Sequence, residues 1–237
     1  MFKASVRGSL VLSATLVGKI VFGDPTPALA QQDFVEFFEF ARHYVLPAEE
    51  TTDGDTGFVI GGKNATSLIR RLRSIKGRGI AELEKDMRPG AEADVVSDAG
   101  FLGAEESLLE ILAADNDYVI NELGLTHQEI ARHLHAMGSI ASWQAERRTP
   151  TEVFVYRGRR FKVSLEVSRG TQLSPFRDGT DSGSNVTVTN IDNEKVIQYG
   201  LLVPYMIDRY GFYEGHGTLY RVDPKLVVEV FDFLTKE

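Results

Sequence analysis

The sequence predicts an α+β protein: a helical N-terminal part, then a small antiparallel β-sheet of hairpins, then a C-terminal helix. Three observations predict it. Apolar residues recur at helical spacing through residues 31–147, the period changes to two after Pro150, and Asp223-Pro224 opens a final amphipathic run. With 237 residues, 43% hydrophobic and 10% aromatic, the chain can bury a sizeable core in one domain or two.

Lys3 and Arg7 precede the apolar stretch GSLVLSATLVG, and DPTPALA follows before Gln31, so residues 1–30 read as an export signal cleaved after Ala30. The pattern favours a periplasmic or secreted location over the cytoplasm. Lys19 interrupts the apolar run at about half the roughly 20 residues that a membrane-spanning helix needs, so no transmembrane segment is expected. Phe34, Phe37, Phe38, Ala41, Tyr44 and Val45 then make the apolar face of a helix that Pro47 ends.

After the polar turn EETTDGDTG, Asn64 is placed to cap a helix from Ala65 to about Ile75, and a short helix is expected over residues 79–88. Leu108, Leu109, Leu112, Tyr118, Val119 and Leu123 predict two packed helices, stopped by Gly124. Thr126 and Glu129 make a capping box, after which Ile130, Leu134, Met137 and Ala141 line one face of a helix running towards Arg147.

Past Pro150, EVFVYRGRRFKVSLEV alternates Phe161, Val163, Leu165 and Val167 with Lys162, Ser164 and Glu166 around an Arg-Gly turn, as a β-hairpin does. SNVTVTNIDNEKVIQY carries Val186 and Val188 on one side of a second hairpin, turning at Asp192-Asn193. A short helix is expected around 204–210, and Asp223 caps a last helix to Leu234 that packs on the sheet. The predicted organisation is therefore 1–30, 31–147 and 150–237.

The absence of cysteine excludes disulfides, thiolate nucleophiles, zinc–thiolate sites and iron–sulfur clusters. Gly57, Gly62 and Lys63 have the spacing of a phosphate-binding loop, but an acidic turn leads into it, Phe58-Val59-Ile60 fill its interior, and Asn64 offers no hydroxyl for magnesium. A Gly-Gly turn feeding an Asn-capped helix accounts for every letter. His133 and His135 point to opposite faces of one helix, and only Glu129 and His133 share a face, so His127, His133 and His135 assemble no metal site. The Asp-containing turns DGDTG and RDGTDSGSN lack the spacing of a calcium loop. No cofactor is expected.

LTHQEIARHLHAMGSIASW, residues 125–143, resembles the helix-turn-helix of DNA-binding regulators over its first ten letters. It departs where His135 replaces the turn glycine and where Ile140 falls one place short of the usual apolar anchor. The resemblance implies that a second helix reads a major groove, with Arg70, Arg71 and Arg73 as further contacts. VYRGR at 155–159 and LYRVD at 219–223 each resemble the arginine-bearing first strand of ADP-ribosyltransferases, which implies dinucleotide binding by Arg157 or Arg221. Neither is followed by the Ser-Thr-Ser strand or the Glu-x-Glu pair of that family. In YGFYEGHG, Glu214 and His216 make a candidate acid–base pair.

Charge is the most unusual feature. Acidic residues number 34 against 26 basic, for a net charge of −8, yet the signs are segregated. Residues 89–131 carry ten acidic side chains and no Lys or Arg; residues 63–88 carry eight basic against three acidic; residues 147–177 carry eight against two. Arg70, Arg71 and Arg73 in the first basic stretch, and Arg157, Arg159 and Arg160 at the hairpin tip, are the candidate contacts to an anionic partner. The competing account is that the basic segments lie against the acidic helices of the same chain. With no nucleophile, base and orienter close in sequence, the expected function is a non-catalytic binding or interaction protein, whose partner is a protein or an anionic molecule. A nucleic-acid-binding protein and an enzyme with a dispersed site are the alternatives.

Overall fold

The computed structural model describes residues 65–91, 99–147 and 152–235. The export-signal reading of residues 1–30, the helix expected at 33–45 and the Gly57–Asn64 loop lie outside them.

The first helix, α1 (Ala65–Ile69), is shorter than the spacing predicts. The chain leaves it through turns in which Arg71 and Leu72 donate to the carbonyls of Leu68 and Ile69. It then forms a two-stranded ladder of β1 (Ser74–Ile75) and β2 (Arg78–Gly79). Lys76 and Gly77 both have positive φ, 51° and 76°, the signature of a type I′ turn whose twist matches paired strands. Gly77 makes that turn cheap, and it wins over continuation of the helix.

Helix α2 (Ile80–Met87) forms where expected. The two helices expected at 108–124 are instead one unbroken path: α3 (Leu108–Asn116) runs directly into a π-helical segment, Asp117–Glu122. Gly124, at φ 65°, ends it as predicted. Helix α4 (His127–Glu146) opens on the predicted capping box, with Thr126 Oγ1 accepting from Glu129 N and Glu129 Oε2 accepting from Thr126 N.

Both predicted hairpins form, and they join into one four-stranded antiparallel sheet in the order β3 (Phe154–Tyr156), β4 (Arg159–Leu173), β5 (Asp181–Asn190), β6 (Val196–Gly200). Part of RDGTDSGSN, which reads as a turn, is the start of β5, because pairing with the far end of β4 supplies the ladder its composition does not advertise. Between Val167 and Gln172 the register shifts, and residues 168–171 bulge out opposite Gly183.

Helix α4 lies on the sheet, and Tyr199 Oη donates to its Leu134 carbonyl at 2.6 Å. Helix α5 (Val203–Tyr210) packs beside α4 and stops at Gly211, which is left-handed at φ 65°. Helix α6 (Pro224–Val230) is capped by Asp223, whose side chain accepts from Lys225 N, and a 3-10 turn (Asp232–Leu234) follows. The C-terminal segment packs on the sheet as expected: Phe231 and Phe161 rings sit 5.6 Å apart, and Asn190 Nδ2 donates to the Val230 carbonyl at 2.8 Å. A hydrophobic core from Ala65 through Leu108, Met137 and Phe161 to Phe231 takes in both the helices and the sheet. Among the described residues, no helix is long and apolar enough to cross a membrane.

Candidate functional site

The six candidate arginines divide into two groups. Arg70 reaches Glu110 on the acidic α3, with Nε 2.9 Å from Oε2. Arg159 Nε lies 2.9 and 3.0 Å from the two oxygens of Asp232, and Arg160 donates to Asp192 from both its backbone and its side chain, at 2.7 and 2.6 Å. Arg71, Arg73 and Arg157 are exposed and have no carboxylate partner among the described residues. The two basic stretches also meet. Asp86 takes both Arg78, at 2.7 Å, and Arg177, at 3.0 Å, while Arg78 Nη1 donates to the Pro175 carbonyl. Internal neutralisation therefore accounts for part of the segregated charge and leaves a remainder.

Two resemblances meet a different local structure. Residues 127–146 form one continuous helix with Leu134, Met137, Gly138 and Ile140 buried, so the turn that would aim a second helix at DNA does not form. His135, standing where the turn glycine belongs, has its ring edge-on to Tyr205 at 4.4 Å. Arg157 occupies the turn between β3 and β4 rather than a strand, and Arg221 lies in the loop before α6. Glu214 and His216 likewise do not pair: Glu214 is buried and bonded to Thr218, and His216 is exposed.

The structure instead builds two polar clusters on α4. At its start, His127 is enclosed: Nδ1 lies 2.9 Å from Tyr213 Oη and Nε2 lies 3.3 Å from Asn116 Oδ1. Because Oδ1 only accepts, Nε2 carries the proton and Tyr213 donates to Nδ1. Gly211 lies so close that a Cβ there would come within 3.0 Å of His127 Nε2. Burial alone lowers the His127 pKa to about 4.

Two turns along α4, His133 Nδ1 lies 2.7 Å from Tyr156 Oη, among the rings of Phe231 and Phe233. Here too the pKa falls to about 4, through burial first and then through the positive charges of Arg157 and Arg132, with Glu129 opposing. Burial raises the Tyr156 phenol, and the positive charges of Arg157 and Arg132 pull it back. Arg132 is exposed and, like Arg157, has no carboxylate partner among the described residues. It also acts on Asp208, whose carboxyl burial pushes upward.

Behind the first cluster sits a buried ion pair. Arg221 grips Asp115 with two bonds, at 2.6 and 3.1 Å, and donates to the Glu214 carbonyl. Its Nε is buried without a hydrogen-bond partner among the described residues. Burial raises Asp115, with Arg221 opposing. Glu214, left-handed at φ 67° and 5% exposed, has its pKa raised to about 8 by burial, which outweighs Thr218 and Arg221. The geometry agrees with a neutral acid. Thr218 Oγ1 lies 2.9 Å from both Glu214 Oε2 and the Gly215 carbonyl, and its one proton serves the carbonyl if a protonated Glu214 donates to it. One cation thus offsets one carboxylate, and burial favours the uncharged form of the second.

The first, enclosed cluster was hard to find from sequence, since Asp115, Asn116, Thr218 and Arg221 come from segments about a hundred residues apart. Arg132 was missed because it reads as one solvated charge on a helix. Its only signal was its place beside His133. Among the described residues, no three of His, Asp and Glu converge as metal ligands. Compared with protein-family models, curated proteins and solved structures, the chain has no significant match.

Proposed function

We propose that this protein is a non-catalytic interaction protein that binds an anionic partner through arginines its own carboxylates leave uncovered. The observation that carries this reading is selective neutralisation. Arg70, Arg159 and Arg160 each hold a carboxylate, whereas Arg71, Arg73 and Arg157 stand exposed without one among the described residues. A net charge of −8 repels long polyanions, so the partner that fits is one of compact negative charge rather than a bare duplex. The nucleic-acid alternative lacks its second helix, and the enzyme alternative would rest on Glu214, an enclosed acid already bonded to Thr218.

The test is a titration of inorganic phosphate, a polyglutamate peptide and a DNA duplex into the protein at low and high salt. Saturable binding of a compact anion is expected, weakened by salt and by combined Arg71→Ala, Arg73→Ala and Arg157→Ala substitution. Binding of none of the probes at low salt ends the proposal. Binding of the duplex alone transfers it to the nucleic-acid alternative.

A further inference from the structure

We infer that Arg132 and Arg157 form a binding site for a phosphate dianion of the kind carried by a phosphomonoester. This rests on the anionic-partner reading and places its ligand.

The hydrogen bond between His133 and Tyr156, 2.7 Å long, pins α4 to β3. The chain neighbours of that pair, Arg132 on the helix and Arg157 in the turn after the strand, are thereby drawn towards each other, and both are exposed. Both guanidiniums act electrostatically on the same imidazole and the same phenol. Two cations gathered around one target repel each other unless a counter-charge joins them.

The protein supplies such counter-charges close by but withholds one here. Arg159 is held by Asp232 and Arg160 by Asp192, while neither Arg132 nor Arg157 has a carboxylate partner among the described residues. Of the acidic groups that share this field, Glu129 closes the capping box with Thr126, and neither it nor Asp208 makes an ion pair with Arg132 or Arg157 among the described residues. Arg157 also stands at φ 53° in a turn with Gly158 at φ 80°, a place that suits Asn, Asp or Gly. A guanidinium is kept there against the local backbone preference.

The ligand class follows from charge and valence. One guanidinium fork satisfies a carboxylate, whereas two forks present two positive charges and enough N–H donors for the several oxygens of a phosphate dianion. Bound phosphate would cancel part of the field that keeps His133 neutral. The imidazole therefore reports on occupancy, with a pKa that rises on binding, whereas His127, lowered by burial alone, does not.

The experiment titrates inorganic phosphate, phosphoserine and the polyglutamate peptide into the full chain, following calorimetry and the ring resonances of His127 and His133. Saturable binding of a phosphate probe with movement of His133 and not His127 is expected. Arg132→Ala and Arg157→Ala each weaken it about tenfold or more. Arg157→Lys, which keeps the charge and loses the fork, recovers part, and Lys76→Ala, in the other exposed turn before a glycine, leaves it unchanged. Tighter binding of phosphoserine points to an esterified ligand; equal binding points to the free ion. Phosphate binding that survives loss of Arg132 and Arg157 but falls with Arg71 and Arg73 overturns this site and keeps the anionic-partner reading. Polyglutamate binding without phosphate binding does the same, and failure of every probe overturns both.

Discussion

Helix α4 carries two hydrogen-bonded histidine–tyrosine pairs six residues apart, and they differ in what surrounds them. His127 uses both ring nitrogens, on Tyr213 and Asn116, and backs onto the buried Asp115–Arg221 pair. His133 shares Nδ1 with Tyr156 at 2.7 Å and is flanked by two exposed arginines. Both pKa values fall to about 4, one by burial alone and one by burial with help from positive charge. The lesson is that a perturbed histidine marks a functional surface only when part of the perturbation comes from charges a ligand can reach.

The largest effect expected is in the closed region. Asp115→Ala leaves Arg221 as an uncompensated charge in a place where its side chain is 9% exposed, and loses about 3–5 kcal/mol of stability in urea unfolding. Arg157→Ala, at the open region, changes stability by no more than about 0.5 kcal/mol. Comparable losses at the two positions would erase the distinction between a cluster that holds the fold and one that is displayed on it.

The second effect is the pH dependence. His127, His133 and His135 titrate near 6.5 when unfolded and near 4 when folded. Between those values the unfolded chain binds protons that the folded chain does not, so stability falls as pH drops from 6.5 towards 4, by about 1.4 kcal/mol per pH unit per group. Glu214 acts in the opposite sense. Its pKa is 4.5 unfolded and about 8 folded, so the folded chain keeps a proton the unfolded one releases, and stability falls as pH rises through that window. Below 6.5 three histidines outweigh one glutamate, and above it Glu214 acts alone. The melting temperature should therefore peak near pH 6.5. Glu214→Gln should flatten the alkaline side and steepen the acid side between about 4.5 and 6.5, where the glutamate no longer opposes the histidines; an unchanged alkaline side would mean that Glu214 is ionised in the folded protein.

What the sequence revealed of these regions follows the range of the interactions. The capping box at Thr126 and Glu129, the hairpins around Gly158 and Asp192-Asn193, and the Asp223 cap depend on residues within a few positions of each other, and all were legible. The β1–β2 ladder was missed because helical spacing at Ile69 and Leu72 hid a Lys-Gly turn. The β4–β5 pairing escaped because Gly, Ser and Asp at 181–185 look like loop until a partner strand fixes them. Site composition was legible only in part. Arg157 stood out at the hairpin tip, but that Arg159 and Arg160 are neutralised and Arg132 is not depends on Asp232 and Asp192, placed by folding.

A third, smaller effect sharpens the contrast between the two histidines. Raising the salt concentration screens Arg132 and Arg157 at the surface, so the His133 pKa should climb, and Arg157→Ala should raise it without salt. His127 should stay put under both changes. Equal movement of the two would mean that burial explains both, and the open character of the second pair would be lost.

The smallest effect expected is the most discriminating, because it separates stability from binding at one residue. Arg157 is left-handed at φ 53°, which disfavours a side chain by about 1–2 kcal/mol. Glycine removes that strain and gives back about 0.5–1 kcal/mol through the greater freedom of the unfolded chain. Arg157→Gly should therefore be neutral or stabilise by up to about 1 kcal/mol. Lys76 provides the control, since it holds the same position of the same turn type, with φ 51° followed by Gly77 at φ 76°. Lys76→Gly should match Arg157→Gly in stability and leave phosphate binding alone, whereas Arg157→Gly should weaken phosphate binding. A native residue whose replacement costs no stability but removes binding is kept for its contact with a ligand; if the two variants behave alike in both measurements, Arg157 is one more tolerated turn residue.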